Sequence, residues 1–285
     1  MKSILVGVDG SDEAKAAVRL AVLLAPALGA NVQLAHVVRP HPPWAPTAMK
    51  PHALTQRRAT EVLEATARES ASPNTNISVR ILHGEAGAAL AEAAQAPEVA
   101  LLVVGSRGAD QAARVLLGSS ADRAIQQSEK PVLVVKRDSA PPSKGRCILV
   151  GVDGSAESYA AAHFAADLAE ATGASLRVCF VVEEQVSALP NPFAPSTGEA
   201  DIQHKDWATA LLREVVAREK RPSLVVDTSM PVGRPAEMLA ELSLEEEVAL
   251  IVIGHRGRGG VARFLLGSTA DRLAQIASKP VLIVR

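Results

Sequence analysis

The sequence predicts an α/β fold built twice: two tandem units, each a five-stranded parallel sheet with helices on both faces. Three observations predict it. The octapeptide Ile4–Ser11, ILVGVDGS, recurs unchanged at Ile148–Ser155, an offset of 144. A second echo, LLGSSADR at Leu116–Arg123, returns as LLGSTADR at Leu265–Arg272, seven of eight positions alike at an offset of 149. Between the echoes, short β-branched runs alternate with alanine-rich stretches of helical period, the pattern of a parallel sheet covered by helices.

In the first half, strands are expected at Ser3–Asp9, Val32–Val38, Ile77–His83, Ala100–Val104 and Val132–Lys136. Helices are expected between them at Asp12–Leu28, His52–Ala71, Glu85–Ala96 and Ser119–Ser128. The second half repeats the order, with strands at Cys147–Asp153, Leu176–Val182, Leu224–Ser229, Val248–Ile253 and Val281–Val284. These runs are nearly continuous in Val, Ile and Leu, as strands buried on both faces require. Residues Arg137–Gly145, RDSAPPSKG, have the Pro, Ser and Gly content of a linker, dividing the chain into units 1–140 and 141–285. The five extra residues between the echoes fit the loop after the second strand, which has 13 residues at 39–51 and 18 at 183–200.

Composition narrows the function. Thirty Lys plus Arg balance 31 Asp plus Glu among 285 residues, a net charge of −1, which argues against a general affinity for nucleic acid or anionic membrane. No run of 18 apolar residues exists, and the apolar stretch before Asp9 is too short for a signal-peptide core. A cytoplasmic protein without a membrane span is the expectation. Two cysteines, Cys147 and Cys179, sit in apolar runs and read as buried, inert thiols rather than a disulfide framework or metal site.

In an open parallel sheet, ligands bind beyond the carboxyl ends of the strands, where strand order reverses. The first strand ends in Val8-Asp9-Gly10-Ser11, repeated as Val152-Asp153-Gly154-Ser155. Two readings fit: an ordinary turn with Ser11 or Ser155 as helix N-cap, or a carboxylate placed to hold a ribose hydroxyl. The fourth strand runs into Gly105-Ser106-Arg107-Gly108, then nine residues, then Gly118-Ser119-Ser120; the second half has Gly254-His255-Arg256-Gly257, nine residues, then Gly267-Ser268-Thr269. Glycines let backbone N–H groups approach phosphate oxygens, and a helix N-terminus favours anions. Such a pattern arises by chance in roughly 1 of 100 chains of this length. A capping box, Ser119 to Asp122 and Ser268 to Asp271, competes as an explanation for the hydroxyls but not for the upstream glycines.

On these motifs, and on the closing KPVLVV and KPVLIV at Lys130 and Lys279, the chain resembles the universal stress protein family in its tandem two-domain form. The resemblance covers essentially the whole chain. It implies a Rossmann-like, adenine-nucleotide-binding fold, and the glycine pattern is that of the members that bind ATP. By position, the adenine and ribose contacts would fall on Gly7, Val8, Asp9 and Val37, with Val104 and Gly105 beside ribose and phosphates. The second-half counterparts are Gly151, Val152, Asp153, Val181, Ile253 and Gly254. The triphosphate, with Mg, would lie on Gly108, Gly118, Ser119 and Ser120, and on Gly257, Gly267, Ser268 and Thr269. The second half continues Arg258-Gly259-Gly260, close to the family's habit, whereas the first has Ala109-Asp110-Gln111. An acid near a triphosphate repels it unless it faces solvent or shares a divalent ion, so weaker affinity is expected in the first half.

The remaining candidates carry less. His36 reads as a core or rim histidine, and His255 as solvent-facing. His41 and His52 go with the proline-rich segment 39–51, which, with 183–200, reads as lid, partner-binding loop or plain surface loop. Glu245, Glu246 and Glu247 read as a solvated face, and Arg114 and Arg263 fall in the nine-residue spacers, where contact with a γ-phosphate is the lesser reading. The resemblance thus implies an ATP-dependent stress-response or signalling regulator, with at most slow ATP hydrolysis or self-phosphorylation. No catalytic triad or water-positioning group is legible. Two alternatives stand beside it: an adenylating or ATP-hydrolysing enzyme of the related α/β class, whose usual Ser-Gly-Gly-x-Asp-Ser and His-x-Gly-His motifs are absent, and a nucleotide-independent scaffold. By the family's topology Val132–Lys136 and Val281–Val284 are edge strands. Pairing them, which a nine-residue linker spanning up to about 30 Å permits, would make one chain resemble the family's homodimer. Two chains could associate further.

Overall fold

The computed structural model describes residues 2–39, 52–108, 117–183, 197–258 and 266–285, with backbone alone at 52–55 and 197–204. The first half runs β1 (Lys2–Gly7), α1 (Asp12–Leu24), β2 (Ala30–Val38), α2 (His52–Glu69), β3 (Ile77–His83), α3 (Ala86–Ala94), β4 (Val99–Gly105), α4 (Ser119–Gln127) and β5 (Val132–Val135). The second repeats it as β6 (Cys147–Gly151), α5 (Ala156–Thr172), β7 (Ser175–Cys179), α6 (Thr197–Arg218), β8 (Val226–Ser229), α7 (Pro235–Leu242), β9 (Val248–Gly254), α8 (Ser268–Ile276) and β10 (Val281–Val284).

All ten strands form one sheet, in the order β3-β2-β1-β4-β5-β10-β9-β6-β7-β8. Pairing is parallel within each half; the halves meet through β5 and β10, which are antiparallel, with Leu282 opposite Leu133. Each half thus has the doubly wound order 3-2-1-4-5, which reverses direction between β1 and β4 and between β6 and β9.

Strand periodicity sorts the core into two layers. Ile4, Val6, Ile148 and Val150 face one side with α1 and α5, while Leu5, Leu149, Leu102 and Ile251 face the other with α3, α4, α7 and α8. The helices present alanines to the sheet, among them Ala17, Ala21, Ala161 and Ala165, all fully buried. Small side chains let a helix lie close to the pleated surface. Helix α1 starts because the Ser11 hydroxyl accepts from the Ala14 N–H at 3.1 Å, and α5 starts likewise at Ser155; α5 stops at Gly173, which takes the left-handed conformation, φ +72°.

Most expected boundaries hold to within two residues, and two move further. Helix α1 ends at Leu24 rather than Leu28 because Pro26 has no N–H for the Val22 carbonyl, which instead accepts from the Thr75 hydroxyl at 3.4 Å. The strand expected at Leu176–Val182 ends at Cys179, leaving Val182 in a single bridge to Val232.

The junction carries a reciprocal pair of contacts. Lys136 Nζ donates to the Ala274 carbonyl at 2.9 Å, and Arg285 Nη2 donates to the Ile125 carbonyl at 2.6 Å. Each cation therefore sits on carbonyls in the last turn of the other half's helix, where intrahelical donors run out and the helix dipole is negative.

Candidate functional site

The reversal between β1 and β4 opens a cleft of about 390 Å³ at the carboxyl ends of the strands. Every residue expected from the first half lines it: Gly7, Val8 and Asp9 after β1, Val37 on β2, Val104 and Gly105 on β4, Gly108 in the following loop, and Gly118, Ser119 and Ser120 opening α4. Its walls also include Ala35, Ala86, Leu90, Arg39 and Arg107, none of which the sequence marked out.

Asp9 and Asp153 hold the loops together. Asp153 Oδ1 accepts from the Ser155 N–H at 3.0 Å and its hydroxyl at 2.6 Å, and Oδ2 accepts from the Arg258 N–H at 2.9 Å. Asp9 Oδ1 repeats the contacts to Ser11 at 3.0 and 2.6 Å. In the second half the carboxylate thereby ties the end of β6 to the loop after β9. Glycine is needed beside it: a Cβ on Gly257 would fall 2.4 Å from Asp153 Oδ2, and one on Gly108 would fall 2.8 Å from Asp9 Oδ2.

The glycines at 118 and 267 are helix N-caps without a side-chain cap hydrogen bond, and Ser119 and Ser268 are the first helical residues. The capping-box alternative is therefore corrected: Asp122 accepts from Gln126 Nε2 at 2.9 Å, and Asp271 from Gln275 Nε2 at 3.1 Å. Gly118 N–H bonds the Ser106 carbonyl and Gly267 N–H the His255 carbonyl, both at 2.8 Å, so each glycine loop wraps a helix start. The N–H groups of the first turn, including those of Ser119 and Ser120, have no carbonyl four residues earlier in the helix to bond.

The second half brings its expected residues into the same relation. Gly151 lies opposite Ile253 in the β6–β9 ladder, and Gly254 ends β9. Val152 donates its N–H to the Cys179 carbonyl two residues before Val181, while Asp153, Gly257, Gly267, Ser268 and Thr269 follow the first-half arrangement.

Charge separates the halves. In the first, Arg107 Nη2 pairs at 3.2 Å with Oε1 of Glu13, a buried carboxylate in the first turn of α1. In the second, Arg256 Nε instead donates to His255 Nε2 at 2.8 Å. His255 corrects its solvent-facing expectation: it is 5 % exposed, because its N–H remains bonded to the Val284 carbonyl at 2.7 Å and carries the ladder past Gly254. Burial, with Arg285 and Arg256 nearby, holds the imidazole below its ordinary pKa. Among the described residues His255 Nδ1 and the Ser106 hydroxyl, its positional counterpart, are buried without a hydrogen-bond partner.

His36 is a cleft wall rather than a core residue. Its Nδ1 lies 2.7 Å from the Val8 carbonyl, and since a carbonyl only accepts, Nδ1 carries the proton. Glu245 and Glu247 are exposed but engaged, accepting from Arg177 at 2.6 and 2.7 Å. The thiols of Cys147 and Cys179 are both free and buried, and burial pushes Cys179 up to about 11. No group of three or more His, Cys, Asp or Glu able to hold a metal occurs among the described residues, nor a helix long and apolar enough to cross a membrane. Residues 40–51 and 184–196, Asp110, Arg114 and Arg263 lie outside the described residues.

Comparison with known proteins gives the geometry its family. The universal stress protein family model matches twice, over residues 1–136 and 146–285. A universal stress protein of Mycolicibacterium smegmatis is 32% identical over 293 residues, covering 99% of this chain and 96% of that one. Another, from Mycobacterium tuberculosis, is 29% identical over 297 residues with the same coverage. The crystal structure of a universal stress protein from Archaeoglobus fulgidus superposes with a TM-score of 0.74 over 99% of this chain and 98% of that one, at 21% identity. Two family matches on one chain, beside relatives aligned end to end, agree with a strand order that recurs in both halves: the chain belongs to the universal stress protein family.

Proposed function

We propose that the chain binds ATP at one site in each half, 1–140 and 141–285, and works as a nucleotide-dependent regulator in stress response or signalling. The observation that carries this reading is the convergence of ten expected residues, from separate stretches of sequence, on one cleft beside an uncapped helix N-terminus. Gly7, Val8, Asp9 and Val37 would hold adenine and ribose, with Val104 beside the ribose. Gly105, Gly108, Gly118, Ser119 and Ser120 would hold the phosphates through backbone N–H groups and hydroxyls, with Arg107 supplying charge. The second half would use Gly151, Val152, Asp153, Val181, Ile253, Gly254, Gly257, Gly267, Ser268 and Thr269 in the same way. The narrow glycine loop suits a closely approached ligand. Bound ATP would supply the charge and contacts that differ between the two states of a regulator. A divalent ion would be carried on the phosphates rather than by a protein cluster.

A scaffold reading has one specific support: Gly108 and Gly257 are required by the protein's own Asp9 and Asp153. Calorimetry separates the two. Denatured protein should release adenine nucleotide, and the stripped chain should take up close to two Mg-ATP; no released nucleotide and no heat would leave the glycines as purely structural. Separate titrations of Asp9→Ala and Asp153→Ala should each lose one site, the tighter loss falling on Asp153; tighter binding at the first site would sink that ranking.

A further inference from the structure

We propose that the second half is the polyphosphate-selective site of the chain and that Arg258, seated on Trp207, makes it so; the proposal rests on the nucleotide reading above. Four segments converge there. The Arg258 N–H is bonded to Asp153 Oδ2 at 2.9 Å, which holds its backbone at the carboxyl end of β6. Its guanidinium carbon lies 4.4 Å from the ring centroid of Trp207 on α6. Trp207 is fixed in turn by Phe180, edge-on at 5.4 Å, and by Gly154, where a Cβ would come within 3.2 Å of the indole.

Stacking on an aromatic face orders the guanidinium while leaving the donors around its edge directed outward, a planar fork suited to phosphate oxygens. Among the described residues no carboxylate lies within ion-pair distance of that fork. Arg256, two residues earlier, bonds to His255 and likewise has no ion pair among the described residues. The same loop wraps the N-terminus of α8, adding a third source of positive potential.

The first half shares the loop that wraps a helix N-terminus but lacks the stacked arginine and its aromatic seat. By the offset of 149, Ala109 stands opposite Arg258 and Arg58 opposite Trp207; by the offset of 144, His36 stands opposite Phe180. Its Arg107 is paired with Glu13 at 3.2 Å. Arg39 does line the first cleft, but it follows β2, across β1 from the glycine loop. Both halves would accept an adenosine moiety through the same glycines and strand ends. They would differ in the reward for each added phosphate.

The test is calorimetric titration of the full chain with ATP and with AMP, for the parent, Arg258→Ala and Arg258→Lys, all carrying Trp44→Phe so that Trp207 is the remaining tryptophan. Arg258 is exposed, so its removal should not disturb folding. Loss of one charge-assisted contact predicts that Arg258→Ala weakens ATP at one of two sites by about ten- to a hundredfold, leaves AMP within about twofold, and is partly rescued by Arg258→Lys. ATP should also change Trp207 emission more than AMP does, with the affinity of the site that the substitution weakens. A variant whose ATP-to-AMP ratio matches the parent at both sites overturns the proposal and leaves nucleotide binding standing. A parent chain that takes up neither ligand overturns the nucleotide reading, and this proposal with it.

Discussion

Lys136 offers a perturbation whose sign and size follow from the junction between the halves. Its ammonium is largely withdrawn from water at the end of β5, donating to the Ala274 carbonyl at 2.9 Å. Burial first, and the Arg107 guanidinium second, lower its pKa from 10.5 to about 8. Below about pH 8 the lysine is charged in folded and unfolded chains alike, and the cost of burying that charge is present in full. Between about 8 and 10.5 the unfolded chain keeps the proton and the folded chain gives it up, so the unfolded state binds more protons and stability rises with pH. The gap corresponds to a ceiling of about 3 kcal/mol, and relaxation and residual solvent around the amine bring the expected gain to about 1–2 kcal/mol. Lys136→Met keeps the length and removes the titration. Urea unfolding of parent and variant, at several pH values from about 7 to about 10, should show the parent gaining on the variant by that amount; groups titrating in both chains cancel in the difference. A difference that stays flat across the window would refute the coupling of burial and charge at this position.

Three further outcomes follow from the same geometry. Saturating ATP should shrink the pH-dependent gain at Lys136, because a phosphate beside Arg107 offsets the guanidinium that helps hold the lysine pKa down; an unchanged slope in the urea series with nucleotide would place the phosphates away from Arg107. Gly254→Ala should destabilise the chain by about 1–3 kcal/mol by scanning calorimetry, since its Cβ would lie 2.9 Å from the Glu157 carbonyl carbon in the first turn of α5, against backbone that has little room to yield. A variant as stable as the parent would mean that the approach of β9 to α5 is looser than described. Cys147 and Cys179, both buried and with thiol pKa values raised by that burial, should ignore a disulfide reagent at about pH 8 and react fully, two per chain, only in denaturant; prompt reaction of the native protein would contradict their placement.

What could be read from the sequence and what could not divides along a physical line. A backbone that must pass within contact distance of another group tolerates only glycine, and glycine leaves a mark in the sequence: the spacing singles out Gly254 and Gly257 as room for phosphate, and the structure adds Glu157 and Asp153 as the groups they approach. Side-chain engagement leaves no such mark, because it depends on register between segments far apart in the chain. Glu13 and Arg107 are separated by 94 residues and meet only once β1 and β4 lie side by side. His255 looked exposed because it sits in a glycine loop, yet its N–H is held by Val284, a partner that β10 supplies 29 residues later. Even the early end of α1 had a sequence cause, Pro26, whose effect depends on whether another donor reaches the Val22 carbonyl; Thr75 does.

The same line explains how the two halves keep like glycine loops while the side chains around them differ. Substituting Gly105, Gly108 or Gly118, or a counterpart, would drive a side chain into neighbouring backbone or into a carboxylate, so both copies keep the glycines. Nothing comparable restrains the side chains around them. Arg107 and Arg256 occupy equivalent positions, but one is neutralised by Glu13 and the other turns to a buried imidazole. Position 258 carries an arginine stacked on an indole where its counterpart, position 109, carries alanine. Packing thus preserves the cradle in duplicate while leaving its electrostatics free to diverge. Under the nucleotide binding proposed above, selectivity for phosphate charge is therefore where the two halves are expected to differ, and affinity for the adenosine moiety where they should remain alike.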